Sequence, residues 1–145
     1  MGAGRLSTRR QVTVAAAVLH HEGRVLLTRR LSGTHLAGLW EFPGGKVEPG
    51  EDPADAVVRE CREECGIEIA VQDILEVTFH PYPDKDLLLL FYACRFAQGS
   101  EVVQHLGVAD HVWALPSELR RHPLPPPDER VLAKIERGEL ARFSA

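Results

Sequence analysis

The chain lacks the sequence features of membrane, exported and polymer-binding proteins. Its longest apolar runs, residues 12–19 and 87–93, fall far short of the ~20 apolar residues that a membrane-spanning helix needs. No small-residue cleavage site follows the basic N-terminus MGAGRLSTRR, so residues 1–10 read as a flexible tail and not as an export signal. The net charge of −4 gives no overall basic field for holding a nucleic-acid polymer. We therefore expect neither a membrane nor a nucleic-acid polymer as a partner.

Cysteine is also scarce, and its pattern suits a reducing compartment. Cys61, Cys65 and Cys94 make an odd number and show no His/Cys ligand spacing, which favours a cytoplasmic location. The apolar fraction of 44% and the charged fraction of 26% are those of an ordinary globular protein. A length of 145 residues predicts one domain over residues 1–145.

The alternation of apolar and polar residues predicts a mixed α/β domain. Strands are expected over residues 11–19, 24–30, 67–79, 87–96 and 108–115, with a short extended piece at 40–42 that Pro43-Gly44-Gly45 breaks. The first two strands form a hairpin around a turn at residues 20–23. The nearly continuous apolar stretch at 87–91 indicates a sheet covered on both faces. Short helical segments at 116–119 and about 128–137 complete an α/β/α sandwich with a mixed sheet.

The strongest helix signal lies in the middle of the chain. Asp52 is a good N-cap, Pro53 fits the first helical position, and Gly66 suits the left-handed turn that ends a helix. The residues predicted to face the core share one side at helical spacing: Ala54, Val57, Val58, Cys61 and Cys65.

The same helix carries a group of carboxylates. Glu60, Glu63 and Glu64 are spaced i, i+3 and i+4, so they share one helix face at the edge of the apolar side. Their mutual repulsion destabilises a bare helix, and a hard divalent cation offsets it. A solvated acidic face is the alternative. The glycine-proline loop and Glu51 before the helix favour the metal site, and Arg59 has two possible partners, Glu51 and Asp55.

The segment GKVEPGEDPADAVVRECREECGI resembles the signature of the Nudix hydrolase family. That signature is Gly, five residues, Glu, seven residues, then Arg-Glu-apolar-any-Glu-Glu-any-Gly-apolar. The matching positions are Gly45, Glu51, Arg59, Glu60, Cys61, Glu63, Glu64, Gly66 and Ile67. Outside the signature the chain is similar to the MutT-like branch from about residue 12 to 137. The similarity rests on TRR at 28–30, LWEFPGGK at 39–46 and LPPPD at 124–128.

The resemblance implies the Nudix fold and magnesium-dependent attack of water on a phosphorus atom, with Mn²⁺ as a substitute ion. A nucleoside triphosphate would yield a nucleoside monophosphate and pyrophosphate. The implied metal ligands are Glu60, Glu63, Glu64 and the backbone carbonyl of Gly44. One of these glutamates, or a more distant one, would orient or deprotonate the water. Arg59 and Glu51 join the catalytic group, and Lys46 would contact a phosphate.

For the base, the resemblance implies that Phe42 lines the pocket, Arg30 lies beside base or sugar, and Asp128 meets the base edge. Each has a structural alternative: Phe42 as a core residue, Arg30 as a surface charge, and Asp128 as an N-cap. An ionised carboxylate only accepts hydrogen bonds. It suits the N7 proton of oxidised guanine and equally the N4 amine of cytosine. These residues therefore do not separate oxidised dGTP from CTP or dCTP. The resemblance to the MutT-like branch implies 8-oxo-dGTP as the expected substrate, with CTP or dCTP as the alternative.

Two further alternatives stay open, an ADP-ribose-type hydrolase and a nucleotide-sensing module without catalysis. Related triphosphatases often carry another metal-binding glutamate at the position of Gly107. Asp110, His105 and Glu101 are the candidates to replace it. The oligomeric state is expected to be a monomer or a homodimer.

Overall fold

The computed structural model describes residues 9–144. These residues form seven strands and two α-helices: β1 (Arg10–His21), β2 (Arg24–Arg29), β3 (Trp40–Glu41), β4 (Gly44–Lys46), α1 (Pro53–Cys65), β5 (Ile69–Pro81), β6 (Lys85–Phe96), β7 (Asp110–Ala114) and α2 (Glu129–Glu136). Short 3-10 helices at Pro116–Arg121, Pro126–Asp128 and Ala141–Phe143 connect or follow them. Neither α-helix of the described part is long and apolar enough to cross a membrane.

The sheet is mixed and is organised around β1. The strand order is β3-β2-β1-β6-β5, with β4 paired to β1 and β7 paired to β2. β1 runs antiparallel to β2 and β4 but parallel to β6. The predicted hairpin of β1 and β2 is confirmed, although β1 continues through His21 and the turn is confined to Glu22 and Gly23.

Two hydrophobic layers cover the two faces of this sheet. Ala15, Ala17 and Leu19 point to the side that packs against α1. Ala16 and Val18 alternate with them and point to the side that α2 covers. Since successive side chains of a strand face opposite ways, a continuous buried run from 15 to 19 requires cover on both faces. The predicted α/β/α sandwich is confirmed.

The ends of α1 match the sequence prediction. The Asp52 carboxylate accepts a hydrogen bond from Ala54 N at 2.9 Å, and Pro53 occupies the first turn. Gly66 has a φ of 63° and donates its N–H to the Arg62 carbonyl, which closes the helix. The inward face is shifted slightly from the prediction. Its buried residues are Ala56, Val57, Cys61 and Cys65, while Ala54 and Val58 are half-buried.

The expected break after the short extended piece is confirmed at Phe42 and Pro43, which separate β3 from β4, but its extension over Gly44 and Gly45 is wrong. Gly44 and Gly45 belong to β4 and pair with Ala16 and Ala15 of β1. A Cβ at Gly44 would lie 2.1 Å from the Ala15 carbonyl oxygen, so only glycine allows the two backbones to approach this closely. The glycines here mark a tightly packed strand and not an interruption.

The predicted tail over residues 1–10 falls mostly outside the described residues. Of the two that are described, Arg10 already belongs to β1. The Arg9 guanidinium is held by the turn between β5 and β6, where it donates to the carbonyls of Tyr82, Pro83 and Lys85 and pairs with Asp86.

Candidate active site

A cavity of about 480 Å³ lies between β1, β4, the N-terminal part of β6 and the loop before α2. Its volume is in the range of ligand pockets. The predicted residues that line it are Arg30, Phe42, Gly44, Lys46, Glu60, Glu64 and Asp128. The structure therefore brings the proposed metal end and the proposed base end, which are far apart in sequence, into one cavity.

The carboxylates of α1 differ in their surroundings. Glu60 and Glu64 line the cavity, while the Glu63 side chain is 55% exposed on the outer side of the helix. Burial, followed by the charges of Glu41 and Glu60, raises the pKa of Glu64 to about 8. Burial also raises the pKa of Glu60. Two half-buried acids with raised proton affinity are destabilised as anions, and a bound cation would relieve that cost.

Arg59 connects the loop after β4 to these carboxylates. Its guanidinium binds Glu51 at two points, Nε to Oε2 at 2.8 Å and Nη2 to Oε1 at 3.0 Å. Its Nη1 donates to Glu60 at 3.0 Å and to Glu63 at 3.2 Å. Of the two partners that the sequence allowed, the structure selects Glu51. Neither Arg59 nor Glu51 lines the cavity, so both act through the residues they hold.

The two glycines of β4 complete the metal end. The Glu60 carboxyl carbon lies 2.6 Å from the position that a Cβ on Gly45 would occupy. Gly44 donates its N–H to Glu64 Oε1 at 3.3 Å. Any side chain at Gly45 would therefore displace the Glu60 carboxylate, and the backbone of β4 directly positions Glu64.

At the proposed base end, Phe42 is a core residue that also borders the cavity. It is 3% exposed and packs edge-to-face on Phe91 at 5.9 Å, yet it also forms part of the cavity wall. Arg30 lies just after β2 and is not a free surface charge. Its Nη1 donates to Glu41 at 3.0 Å and its Nε to the His35 carbonyl at 2.6 Å.

The N-cap interpretation of Asp128 is wrong. The residue has helical backbone angles at the end of a 3-10 helix that runs directly into α2, and its side chain makes no capping hydrogen bond. A cap needs an extended backbone that aims the carboxylate at the first turn. The Asp128 side chain instead lies in the cavity wall, with the residue 4% exposed. Burial, reinforced by Glu41, raises its pKa to about 7.

Several cavity residues were not among those predicted from the sequence. Glu41 lines the cavity, and burial raises its pKa despite the ion pair with Arg30. A charged residue between two aromatics in a short strand was the available signal. His35, Tyr82 and Lys85 also line the cavity, but they come from loops or a strand start that no sequence pattern placed there.

The position expected to hold a further glutamate does lie beside the metal end. Gly107 donates its N–H to the Glu64 carbonyl at 3.0 Å. None of the suggested replacements lines the cavity. Glu101 accepts a hydrogen bond from Glu68 N, and His105 and Asp110 lie together with His111.

Comparison with known proteins identifies the family. A model described as the NUDIX domain matches residues 14–134. The CTP pyrophosphohydrolase of Escherichia coli (strain K12) is 36% identical over 133 residues, which are 92% of this chain and 97% of that protein. The 8-oxo-dGTP diphosphatase of the same strain is 32% identical over 129 residues, which are 88% of this chain and 98% of that protein.

A solved structure has the same fold. The solution structure of the E. coli ORF135 protein superposes with a TM-score of 0.78 at 33% identity, covering 97% of this chain and 99% of that chain. The family match contains every predicted site residue from Arg30 to Asp128. The chain belongs to the NUDIX domain family.

Proposed function

We propose that this chain cleaves a nucleoside triphosphate to a nucleoside monophosphate and pyrophosphate in a magnesium-dependent reaction, and that its preferred substrate is 8-oxo-dGTP. The family and its named diphosphatase relatives make the chain a hydrolase of phosphorus-containing anhydrides. The observation that carries the proposal is a single cavity lined both by carboxylates of α1 and by Asp128.

The residues at the metal end fit a hard divalent ion. Glu60 and Glu64 offer carboxylate oxygens inside the cavity, Glu63 offers another from the outer side, and the backbone of Gly44 lies next to Glu64. Oxygen donors are what Mg²⁺ and Mn²⁺ require. When bound, the ion would neutralise phosphate charge and lower the pKa of a water molecule.

The protein's own groups position the phosphates and shield the reaction. Lys46 and Lys85 supply positive charge to the cavity, and as compact ammonium groups they suit phosphate oxygens. Arg59 holds Glu60, Glu63 and the loop at Glu51 in one arrangement. A glutamate of the site would orient or deprotonate the attacking water.

The raised pKa of Asp128 supports oxidised guanine over the normal base. An ionised Asp128 accepts a hydrogen bond from the N7 proton that only oxidised guanine carries. With its pKa at about 7, the carboxyl also populates a neutral form that donates to O6 while it accepts from N7–H. In normal guanine both O6 and N7 are acceptors. One oxygen of the Asp128 carboxyl would therefore face a guanine lone pair without a proton between them.

CTP or dCTP is the second candidate. The E. coli relative named CTP pyrophosphohydrolase matches nearly the whole chain. A neutral Asp128 would donate to N3 of cytosine and accept from its N4 amine, so the same carboxyl also suits that base.

The test is a comparison of kcat/KM for 8-oxo-dGTP, dGTP, dCTP, CTP and ADP-ribose, with products separated by chromatography. Monophosphate and pyrophosphate are expected as products, with 8-oxo-dGTP the best substrate. Preference for CTP or dCTP would replace the base assignment without affecting the chemistry. Preference for ADP-ribose would contradict the triphosphatase assignment, and nucleotide binding without turnover would indicate a sensing module.

The metal assignment is tested separately with Glu63→Gln and Glu64→Gln. Both should lose at least about 100-fold in kcat, because even residues that only orient a metal ligand typically contribute 10–100-fold. The matched control is Glu68→Gln, which removes an exposed carboxylate paired with Arg62 outside the cavity. Rates near those of the unmodified protein in both site variants would contradict the assignment.

We also propose a cytoplasmic location and a monomeric or homodimeric state. Cys61, Cys65 and Cys94 are free and buried, as in proteins of reducing compartments. Light scattering of the purified protein measures the oligomeric state directly.

A further inference from the structure

A second group of metal-ligating side chains lies outside the cavity, at the start of β7. His105, Asp110 and His111 each offer one ligand atom, and these atoms lie within 4.8 Å of one another. His105 Nε2 is 2.8 Å from His111 Nδ1 and 4.0 Å from Asp110 Oδ1. None of the three lines the cavity.

The spacing of these atoms fits a tetrahedral ion. With bonds of about 2.0–2.1 Å, the donor atoms of a tetrahedral zinc site are about 3.3 Å apart. The observed separations of 2.8 and 4.0 Å lie on either side of that value. Since no separation exceeds 4.8 Å, changes of at most about 1.5 Å bring the three groups to the tetrahedral spacing.

The donor types differ from those on α1 and select a different ion. Two imidazole nitrogens and one carboxylate oxygen suit Zn²⁺ and other late first-row metals, whereas Mg²⁺ prefers oxygen alone. Imidazole binds metal in its neutral form.

The backbone partly preorganises the site. Asp110 Oδ1 accepts a hydrogen bond from His111 N at 2.8 Å, which fixes the carboxylate beside the strand. His111 itself is held in the pairing of β7 with β2, opposite Thr28. His105 lies on the preceding loop, next to Gln104, whose N–H donates to the Cys65 carbonyl at 2.9 Å.

We propose that His105, Asp110 and His111 bind Zn²⁺ or a similar late transition-metal ion, with water as the remaining ligand, at a site separate from the carboxylates of α1. The loop that carries His105 also holds the end of α1, since Leu106 N and Gly107 N both donate to the Glu64 carbonyl. A bound ion would fasten this loop to β7 and stabilise the C-terminal turn of α1.

The alternative is that His105 and His111 form only a hydrogen bond between their rings. The protein is first treated with a chelator and dialysed to remove bound metal. Calorimetric titration with Zn²⁺ in the presence of saturating Mg²⁺ then separates the two cases. We expect one bound Zn²⁺ per chain and a higher Tm. The same binding should persist in the Glu63→Gln/Glu64→Gln double variant, because the site does not use those carboxylates.

His105→Asn and His111→Asn should each weaken Zn²⁺ binding by at least about 100-fold. Removing a residue that only hydrogen-bonds a metal ligand typically costs 10–100-fold in affinity, and removing a ligand itself should cost more. The matched control is His122→Asn, which alters a histidine that packs on Trp40 away from the cluster and should leave binding unchanged. Metal-free circular dichroism and Tm establish that each variant folds. With Co²⁺ as the probe, visible d–d bands are expected without a thiolate charge-transfer band.

Three results would overturn the proposal. One is the absence of Zn²⁺ binding in the presence of Mg²⁺. Another is binding that disappears in the double glutamate variant but persists in both histidine variants. The third is a thiolate band with Co²⁺, which would place the ion on cysteine.

Discussion

Arg59 and Glu51 form a two-point ion pair that ties the loop after β4 to α1. The hydrogen bonds are 2.8 and 3.0 Å long. The guanidinium lowers the pKa of Glu51, and the carboxylates around it raise the pKa of Arg59. The same guanidinium reaches Glu60 and Glu63, so one side chain sets the position of the loop and of two proposed metal ligands.

Arg59→Lys should therefore reduce activity without unfolding the protein. A lysine keeps the charge but cannot bind Glu51 at two points while also reaching Glu60 and Glu63. We expect kcat/KM to fall about 10–100-fold, with weaker activation by Mg²⁺. Steady-state kinetics over a range of Mg²⁺ concentrations measure both effects.

Arg62→Lys provides the control on the same helix. Arg62 forms a similar two-point pair with Glu68, but that pair is exposed and lies outside the cavity. It should change kcat/KM little. Equal effects of the two substitutions would show that Arg59 has no specific positioning role.

The two glycines of β4 should respond differently to alanine. At Gly45, the new methyl group meets the Glu60 carboxylate, which can move away. Gly45→Ala should therefore lower kcat/KM by about 10–100-fold and leave Tm nearly unchanged. At Gly44 the methyl group meets the backbone of Ala15 and Ala16, which cannot move. Gly44→Ala should reduce the free energy of unfolding by about 1–3 kcal/mol.

Urea unfolding and steady-state kinetics on both variants separate these outcomes. If Gly45→Ala retained full activity, Glu60 would not need its present position. If Gly44→Ala were as stable as the unmodified protein, the close approach of β4 to β1 would be less rigid than the structure indicates.

The local parts of the fold could be predicted from the sequence, because their signals lie within a few residues. The caps of α1 at Asp52 and Gly66, the hairpin and the carboxylate face follow from spacing and backbone preference alone. The signature also placed Arg59 and Glu51 in one group. Their ion pair joins the residue before the N-cap of α1 to the seventh residue of that helix.

Contacts between distant segments could not be predicted in this way. The pairing of β4 with β1 depends on how closely two backbones approach, and a Gly-Gly pair also suits a turn. The role of Asp128 depends on the orientation of a 3-10 helix that sequence alone does not fix. The pairing of His105 with His111 requires the loop before β7 to fold back.

A buried carboxylate on β5 should make Lys134 important for stability. The Glu76 side chain is 4% exposed, and its Oε1 lies 2.8 Å from Lys134 Nζ, which also donates to the Leu75 carbonyl. Lys134→Met removes the ammonium group from both acceptors, and Glu76 then faces only the largely exposed Arg130. We expect a loss of about 2–3 kcal/mol in the free energy of unfolding, measured by urea titration.

Arg130→Met is the comparison for this pair. Arg130 Nε lies 2.8 Å from Glu76 Oε2, but the two atoms are not aligned for a hydrogen bond. The Arg130 side chain is also 68% exposed. The expected loss is less than about 1 kcal/mol. If the arginine substitution cost more than the lysine substitution, the assignment of Lys134 as the main partner would be wrong.

Asp128 should make the stability of the protein depend on pH. Its pKa is about 7 in the folded protein, because burial and then Glu41 disfavour the ionised form, and about 3.9 in the unfolded chain. Between these values the unfolded state loses its proton first. The free energy of unfolding therefore falls as pH rises from about 4 to 7, by up to about 4 kcal/mol.

Asp128→Asn removes this titration, since an amide has nearly the same shape and does not ionise. Its stability relative to the unmodified protein should increase between pH 4 and 7 and then remain constant up to pH 8. Urea unfolding at several pH values measures the difference, in which the contributions of groups that do not interact with Asp128 cancel. Asp84→Asn, at a carboxylate that is 73% exposed, should show no such trend. A difference for Asp128→Asn that stayed constant over the whole range would mean that the cavity keeps this carboxylate ionised, and the neutral form invoked for contact with O6 of oxidised guanine would then be absent.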